Sequence, residues 1–398
     1  MTDDSDTRNN MNFEHDYIQD DTEDSAGMID FSGFQSRNSN SYEDNDVGYF
    51  SLFRGSKSNE DELEELKKHI KRCDTNKDES LEISGKTIIS FPKEVLSFSW
   101  LVTLNLENTG INTLSELPPN IVNLIIKHNN IKILDGSVIP SSVKILVFTD
   151  NCTTEIVGLK EGLTEVAISS NKLSNVCQIP MSVVILDISD NKVLTNIPNL
   201  RSHVNLRGLL INNTSICSID DVLPDTLEHL ETCRCMLQTI KYLPKNLITW
   251  KSYISCIENI ECSFPENLLE IDLFNNSLKT IPELPKKIKT VDLSNNSLTS
   301  IPNIPQSIEM IDLKQNDKLK AEDIQKIEKD YPEAKILYDD PPPDYYTHYG
   351  TDDNYESLLN GFNFSNFSLS YGNSQMNYTT EYSETNPHYV PLKKTYCI

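Results

Sequence analysis

The chain has 398 residues, 37% hydrophobic and 24% charged, which would fill two or three ordinary domains unless it is built from internal repeats. A formal net charge of -25 and a pI near 4.6 exclude nucleic acid as an expected partner, because phosphate binding needs a positive surface, and favour a basic partner or cation. No run approaches about twenty apolar residues, so no ordinary membrane-spanning helix and no membrane partner are expected.

The nine cysteines lack the spacing of a disulfide framework, and the N-terminus (MTDDSDTRNNMNFEHDYIQDD) has no apolar signal segment. The thiols are therefore expected to stay reduced and the protein to be cytoplasmic, in the host cytoplasm if the chain is viral. Cys397 stands next to last, so no prenylation box is formed.

In chain order, residues 1–59 are rich in Asp, Asn and Ser and poor in aliphatic residues, and cannot offset the entropy of ordering; they are expected to be a disordered acidic tail. Residues 60–80 are expected to form an N-terminal cap helix and turn. The run DELEELKKHIKRC (61–73) places Leu63, Leu66 and Ile70 at helical spacing, with acids first and bases last, as the helix dipole prefers. The following DTNKDESLEISG resembles a calcium loop at Asp74, Asn76 and Asp78. It departs from that pattern at Glu79, where a sharp turn wants Gly, and at Gly85, where a bidentate Glu is needed, so a helix-to-repeat turn is the expected reading and no metal is assigned.

Residues 81–319 carry one recurring pattern. Eleven units begin at Leu101, Ile121, Val143, Leu163, Val183, Leu206, Leu227, Leu247, Leu268, Ile288 and Ile308, each LxxLxLxxN-like, and a degenerate twelfth starts at Leu81. Alternation around the second and third apolar positions of each unit predicts a short strand with one face inward. The ninth position is Asn in seven units and Thr, Cys or Ser in the others, a small hydrogen-bonding side chain able to satisfy backbone groups where the chain turns inward. Only about nine to twelve residues separate one motif from the next, often with Pro, as in IPELP (281–285) and IPNIP (301–305). Proline removes a donor and fixes an extended backbone, so the convex side is expected to be polyproline-like segments and turns. Residues 320–339 read as a C-terminal cap, a helix stopped before Pro332 and then a closing strand that shields the last edge.

On these units, residues 81 to about 338 resemble leucine-rich-repeat proteins, particularly the short-repeat type of bacterial effectors, and the Asn-, Ile- and Lys-rich composition is similar to repeat proteins of giant viruses such as Mimivirus. The resemblance implies an α/β leucine-rich-repeat solenoid, a horseshoe whose concave parallel β-sheet is used for binding. Effector relatives that are ubiquitin ligases carry a large catalytic domain after the repeats. The segment 340–398 is too short for one, so no enzyme activity and no cofactor are expected.

The concave positions are the third, fifth, seventh and eighth of each unit. Ile125, Val147 and Leu210 of the fifth column, with Ile145 and Ile185 of the third, are expected to form an exposed apolar patch of the kind that marks partner surfaces. Glu231, Asp272, Asp292 and Asp312 continue the fifth column as an acidic stretch. The three aspartates either contact a partner or only keep the face soluble. Tyr253 and Phe274 are candidate anchors.

After the cap, Pro342, Pro343 and Tyr345 in PPPDYY resemble the PPxY ligand of WW domains, in which a pre-extended segment docks an aromatic groove. Proline that merely ends the solenoid is the alternative. The segment 340–398, rich in Tyr, Asn and Ser, is expected to be a disordered tail. Cys233 and Cys235 form a CxC, yet Cys235 occupies the Asn position and no further pair completes a zinc site. The expected function is therefore that of a monomeric repeat domain that binds a protein on its concave face, as scaffold or effector. A structural or assembly component, for example of a virion, using its low-complexity tails is the alternative.

Overall fold

The computed structural model describes residues 59–85, 88, 91–176, 178–339, 367–371 and 374–378. Helix α1 (Asn59–Asn76) opens the described chain and packs Leu66, Ile70 and Cys73 onto the first repeat. Leu63, expected on that face, is 51% exposed instead; the buried stripe starts one turn later. Lys77 adopts a left-handed backbone (φ 56°), and the Asp78 amide donates to the Cys73 carbonyl at 3.1 Å. Asp74 of the calcium-like sequence pairs with Lys77 at 2.7 Å, and no group of three acid, His or Cys side chains suited to a metal occurs among the described residues.

The turn delivers Ser80–Ser84, whose Leu81 and Ile83 are buried, as the first strand of the sheet, so the degenerate unit is a true repeat. Among the described residues the main sheet has thirteen strands, all parallel and each beside its sequence neighbour in the solenoid. Each pairs third position on third and fifth on fifth, for example Thr103 with Asn123 and Asn105 with Ile125. The strands of the units that begin at Leu101, Ile121 and Val143 span five residues, and those of the eight later units span three.

The first, fourth and sixth positions of each unit point inward, as do Leu101, Leu104 and Leu106, all inaccessible to solvent. Each such side chain contributes roughly 1.5–3 kcal/mol of transfer free energy, but only because the neighbouring repeat covers it. The ninth-position side chains stitch the turns together. Asn296 donates to the carbonyls of Leu273 (2.9 Å), Leu293 (3.0 Å) and Ser294 (3.2 Å) and accepts from the Leu278 amide (3.1 Å), so one side chain serves four backbone groups from two repeats. Cys235 and Ser255 imitate it weakly, through Sγ to the Ile211 carbonyl (3.1 Å) and Oγ to the Thr232 carbonyl (2.7 Å).

The prolines have a repeated task. In seven repeats a Pro carbonyl accepts from the amide three residues on, which belongs to the first residue of the next unit: the Val143 amide donates to Pro140, that of Val183 to Pro180, and so on to Ile308 and Pro305. The convex side is thus mostly turns, as expected, with two additions. Ile133–Asp135 pairs with Glu155–Val157, and Thr239–Ile240 with Asn259–Ile260, as small parallel sheets. These segments contain aliphatic residues and no proline, so their amides remain free to pair, which IPELP and IPNIP do not permit.

Helix α2 (Ala321–Asp330) buries Ile324 and ends at Tyr331, before Pro332, and Lys335–Leu337 joins the sheet beside Met310–Asp312. The Tyr331 hydroxyl donates to the Ile304 carbonyl, tying the cap to the last proline segment. Within 340–398, expected to lack a fold, Phe367–Tyr371 and Ser374–Tyr378 form an antiparallel pair, in keeping with the period-two spacing of Phe367, Leu369 and Tyr371 in the sequence. No helix among the described residues is long and apolar enough to cross a membrane.

Candidate functional site

The register turns equivalent positions into rows across the sheet, each step being one strand. The fifth-position row runs from Asp187 through Leu210, Glu231, Lys251, Asp272 and Asp292 to Asp312. Its four aspartates share a local geometry. Oδ1 of Asp187, Asp272, Asp292 and Asp312 accepts from the amide two residues on, at Ser189 (2.9 Å), Phe274 (3.0 Å), Ser294 (2.9 Å) and Lys314 (3.0 Å), and in each repeat the ladder strand ends at the aspartate. The carboxylate takes an amide that a further rung would have used. Asp at this position therefore has a structural role beyond keeping the face soluble.

That role leaves Asp187 Oδ2 without a partner, while Lys251 and Lys314 offset part of the charge of the three later aspartates. Burial lifts Asp187 to about 6, against hydrogen bonds from Ser189. Burial, then the neighbouring Asp292 carboxylate, lifts Asp272 to about 7, and the same two causes in that order lift Asp312 to about 6. Asp292 is raised by burial as well. In the third-position row, burial alone brings Glu165 to about 7. Lys251 stands among these acids, 3.3 Å from Glu270. Burial acts to lower its pKa, but Glu270, Glu231 and Asp272 outweigh that and hold the ammonium above its ordinary range. Burial, then Lys251, depresses His229 to about 4. Its Nδ1 lies 2.8 Å from Thr249 Oγ1, while Nε2 is shut off from solvent with no partner.

The apolar patch differs from expectation. Ile125 and Ile145 are half-buried on the concave face, but Val147 and Ile185 are 1% exposed and Leu210 7%. These three are enclosed and are not a free surface. Ile185 lies over Gly208: a Cβ at the glycine would stand in ordinary contact with it, 3.5 Å from Ile185 Cγ1. Glu231, Tyr253 and Phe274 are half-buried, the two aromatics in adjacent repeats beside the acidic row. Pro342, Pro343 and Tyr345 lie outside the described residues.

Sequence reasoning placed Lys251 in the fifth column and His229 on the concave face without choosing either as a site residue, and it missed Glu270 and Glu165; the importance of all four comes from what stands beside them on the sheet. It placed the eighth position on the concave face but missed its backbone conformation. All eleven residues there are left-handed, with φ between 50° and 56°. Ten of them have no branched Cβ, yet the unit that begins at Leu247 places Ile254 there, 37% exposed. A β-branched residue at positive φ is an outlier that the aligned repeats would reveal. Cys233 and Cys235 remain free thiols with pKa raised by burial, and no metal group among the described residues includes them.

A stack of single parallel strands, an asparagine ladder and left-handed residues before each ladder position together decide the architecture. The protein is a leucine-rich-repeat solenoid. No family model matches the chain. The leucine-rich-repeat domain of APL1B superposes with a TM-score of 0.54 at 18% identity, covering 66% of this chain and 82% of that one. The leucine-rich effector YopM from Yersinia pestis gives 0.47 at 18%, covering 71% and 95%. In sequence, the leucine-rich-repeat chain is 26% identical over 197 residues to disease resistance protein RRS1 of Arabidopsis thaliana, covering 44% of this chain and 15% of that protein. Oligodendrocyte-myelin glycoprotein of Homo sapiens is 27% identical over 190 residues, covering 44% and 43%. These two sequence matches thus span less than half the length of the relatives concerned.

Proposed function

We propose that the repeats form a protein-interaction module that holds a macromolecular partner on the concave sheet, with the chain acting as a cytoplasmic adaptor or effector. The observation that carries this reading is the fifth-position row, where carboxylates stand buried or half-buried on the concave face at a cost in solvation. The amide two residues on accounts for one oxygen of each aspartate, and the remaining desolvated charge is what an interaction surface would use. The half-buried Tyr253 and Phe274 add aromatic area of the type enriched at interfaces. Similarity to a disease resistance protein is consistent with recognition, and the proposed role for this chain is recognition without catalysis.

The test is capture from cell lysate followed by cross-linking of the captured protein, using the full chain, an Ile125→Glu variant and a Tyr345→Ala variant as baits. Cross-links on concave positions that disappear with Ile125→Glu support the reading. Cross-links confined to the convex side would overturn it. Loss of a WW-domain protein with Tyr345→Ala would assign the PPxY-like run. Recovery of the chain alone, with self-association by sedimentation, would favour the structural or assembly role.

A further inference from the structure

We infer that the occupant of the concave face is a cationic helical segment of a partner protein, which lays a line of lysines or arginines along the fifth-position row from Asp187 to Asp312. The inference rests on the concave sheet being the binding surface and adds the chemistry of what binds there.

Charge is the first argument. Around the late half of the row, the carboxylates of Glu231, Glu270, Asp272, Asp292 and Asp312 face two ammonium groups, Lys251 and Lys314. Lys251 shows what the row accepts: its Nζ lies 3.3 Å from Glu270, its stem buried, in the position a partner's cation would take one or two strands on. Mutual repulsion between Asp292 and its neighbours on both sides remains, and an incoming ammonium or guanidinium would relieve it.

A second argument is independent of the acidic cluster. Asp187, at the head of the same row, is wholly inaccessible, and its Oδ2 has no partner in the chain. Beside the row, the enclosed Nε2 of His229 is likewise unpartnered. Buried polar atoms are nearly always hydrogen-bonded, so the orphan on the row and the one beside it mark a sheet face whose polar groups the chain itself does not fully satisfy.

Spacing chooses the helix. Neighbouring strands lie about 4.8 Å apart, so consecutive row positions repeat at that interval. Side chains at i, i+3 and i+4 of an α-helix are separated along the axis by about 4.5–6 Å, which stays in step with the row. An extended segment puts same-side residues about 6.6–6.8 Å apart and falls out of step after two strands. Tyr253 and Phe274, next to the row, offer apolar surface to the methylene stems of lysine or arginine.

The experiment uses the full chain and fluorescence anisotropy with two labelled alanine-based peptide helices of identical composition, one with all arginines on one face and one with them spread evenly. The one-face peptide is expected to bind at least about tenfold more tightly. The triple variant Asp272→Asn, Asp292→Asn, Asp312→Asn is expected to weaken it about tenfold or more. The triple variant Glu116→Gln, Glu258→Gln, Glu266→Gln removes the same charge from exposed sites outside the sheet and is expected to change binding less than about twofold. Equal binding of the two peptides, or equal losses in the two triple variants, would show only general attraction to an acidic protein and overturn the inference. If the concave triple variant melts early, the single Asp292→Asn variant replaces it, with an expected loss of about threefold, and no loss overturns the inference. A captured partner that cross-links to the concave face while the one-face peptide fails would leave the binding surface standing and reject its cationic occupant.

Discussion

Lys251 Nζ lies 3.3 Å from Glu270 Oε1, on adjacent strands, with both side chains less than one-fifth exposed. The ammonium is the chain's own counter-charge to the acids that flank it. Replacing it with methionine keeps the stem and leaves Glu270, Glu231 and Asp272 without it, so Lys251→Met is expected to cost on the order of 2–4 kcal/mol, somewhat less than a fully buried pair. The raised pKa means that this stabilisation is present throughout ordinary pH and is lost only in strong alkali. Urea unfolding at pH 7 measures it; an unchanged midpoint would show that the pair contributes nothing.

The aspartate row makes stability fall as pH rises. Asp187 and Asp312 at about 6, and Glu165 and Asp272 at about 7, hold protons in the folded state that the unfolded chain, with ordinary values near 4, has already released. Their contribution is therefore fully present below about pH 4 and is lost as pH rises through 6 to 7. Thermal unfolding followed by circular dichroism should give a higher Tm at about pH 5 than at about pH 8. Asp187→Asn should narrow that difference; a Tm that climbs over the same interval contradicts the assignment.

Asn296 and Cys235 occupy the same ladder position with unequal chemistry. Asn296→Ala leaves the Leu273 and Leu293 carbonyls and the Leu278 amide without this partner, and about 3 kcal/mol or more of stability should be lost. Cys235→Ala removes weaker sulfur contacts and should cost less than half as much. Chemical denaturation of the two variants side by side decides the ordering.

Ile254 holds φ at 56° where its counterparts in other repeats include Asn108, Asn213, Asn275 and Asn295. Ile254→Asn should stabilise the protein by about 1 kcal/mol by relieving the clash of a branched Cβ in the left-handed region. A loss of stability would mean that Ile254 makes contacts that outweigh the strain.

The repeat architecture, the inward leucines and the asparagine ladder could be read from the sequence because each depends on a local rule repeated many times. Alternation fixes which side chains point inward, and Asn or a substitute marks the turn. A solenoid brings sequence neighbours together, so near-neighbour patterns carry most of its architecture. The tertiary structure decided what the rows do. Val147, Ile185 and Leu210 have the pattern of concave residues, yet the stacked sheet encloses them, with Ile185 lying over Gly208. Lys251 acquires its role only because Glu231 and Asp272 come to lie on either side of it, each a whole repeat away along the chain, and the carboxyl protons of the row depend on the same approach. Burial and charge proximity are properties of the stacked sheet and have no signature in a single repeat.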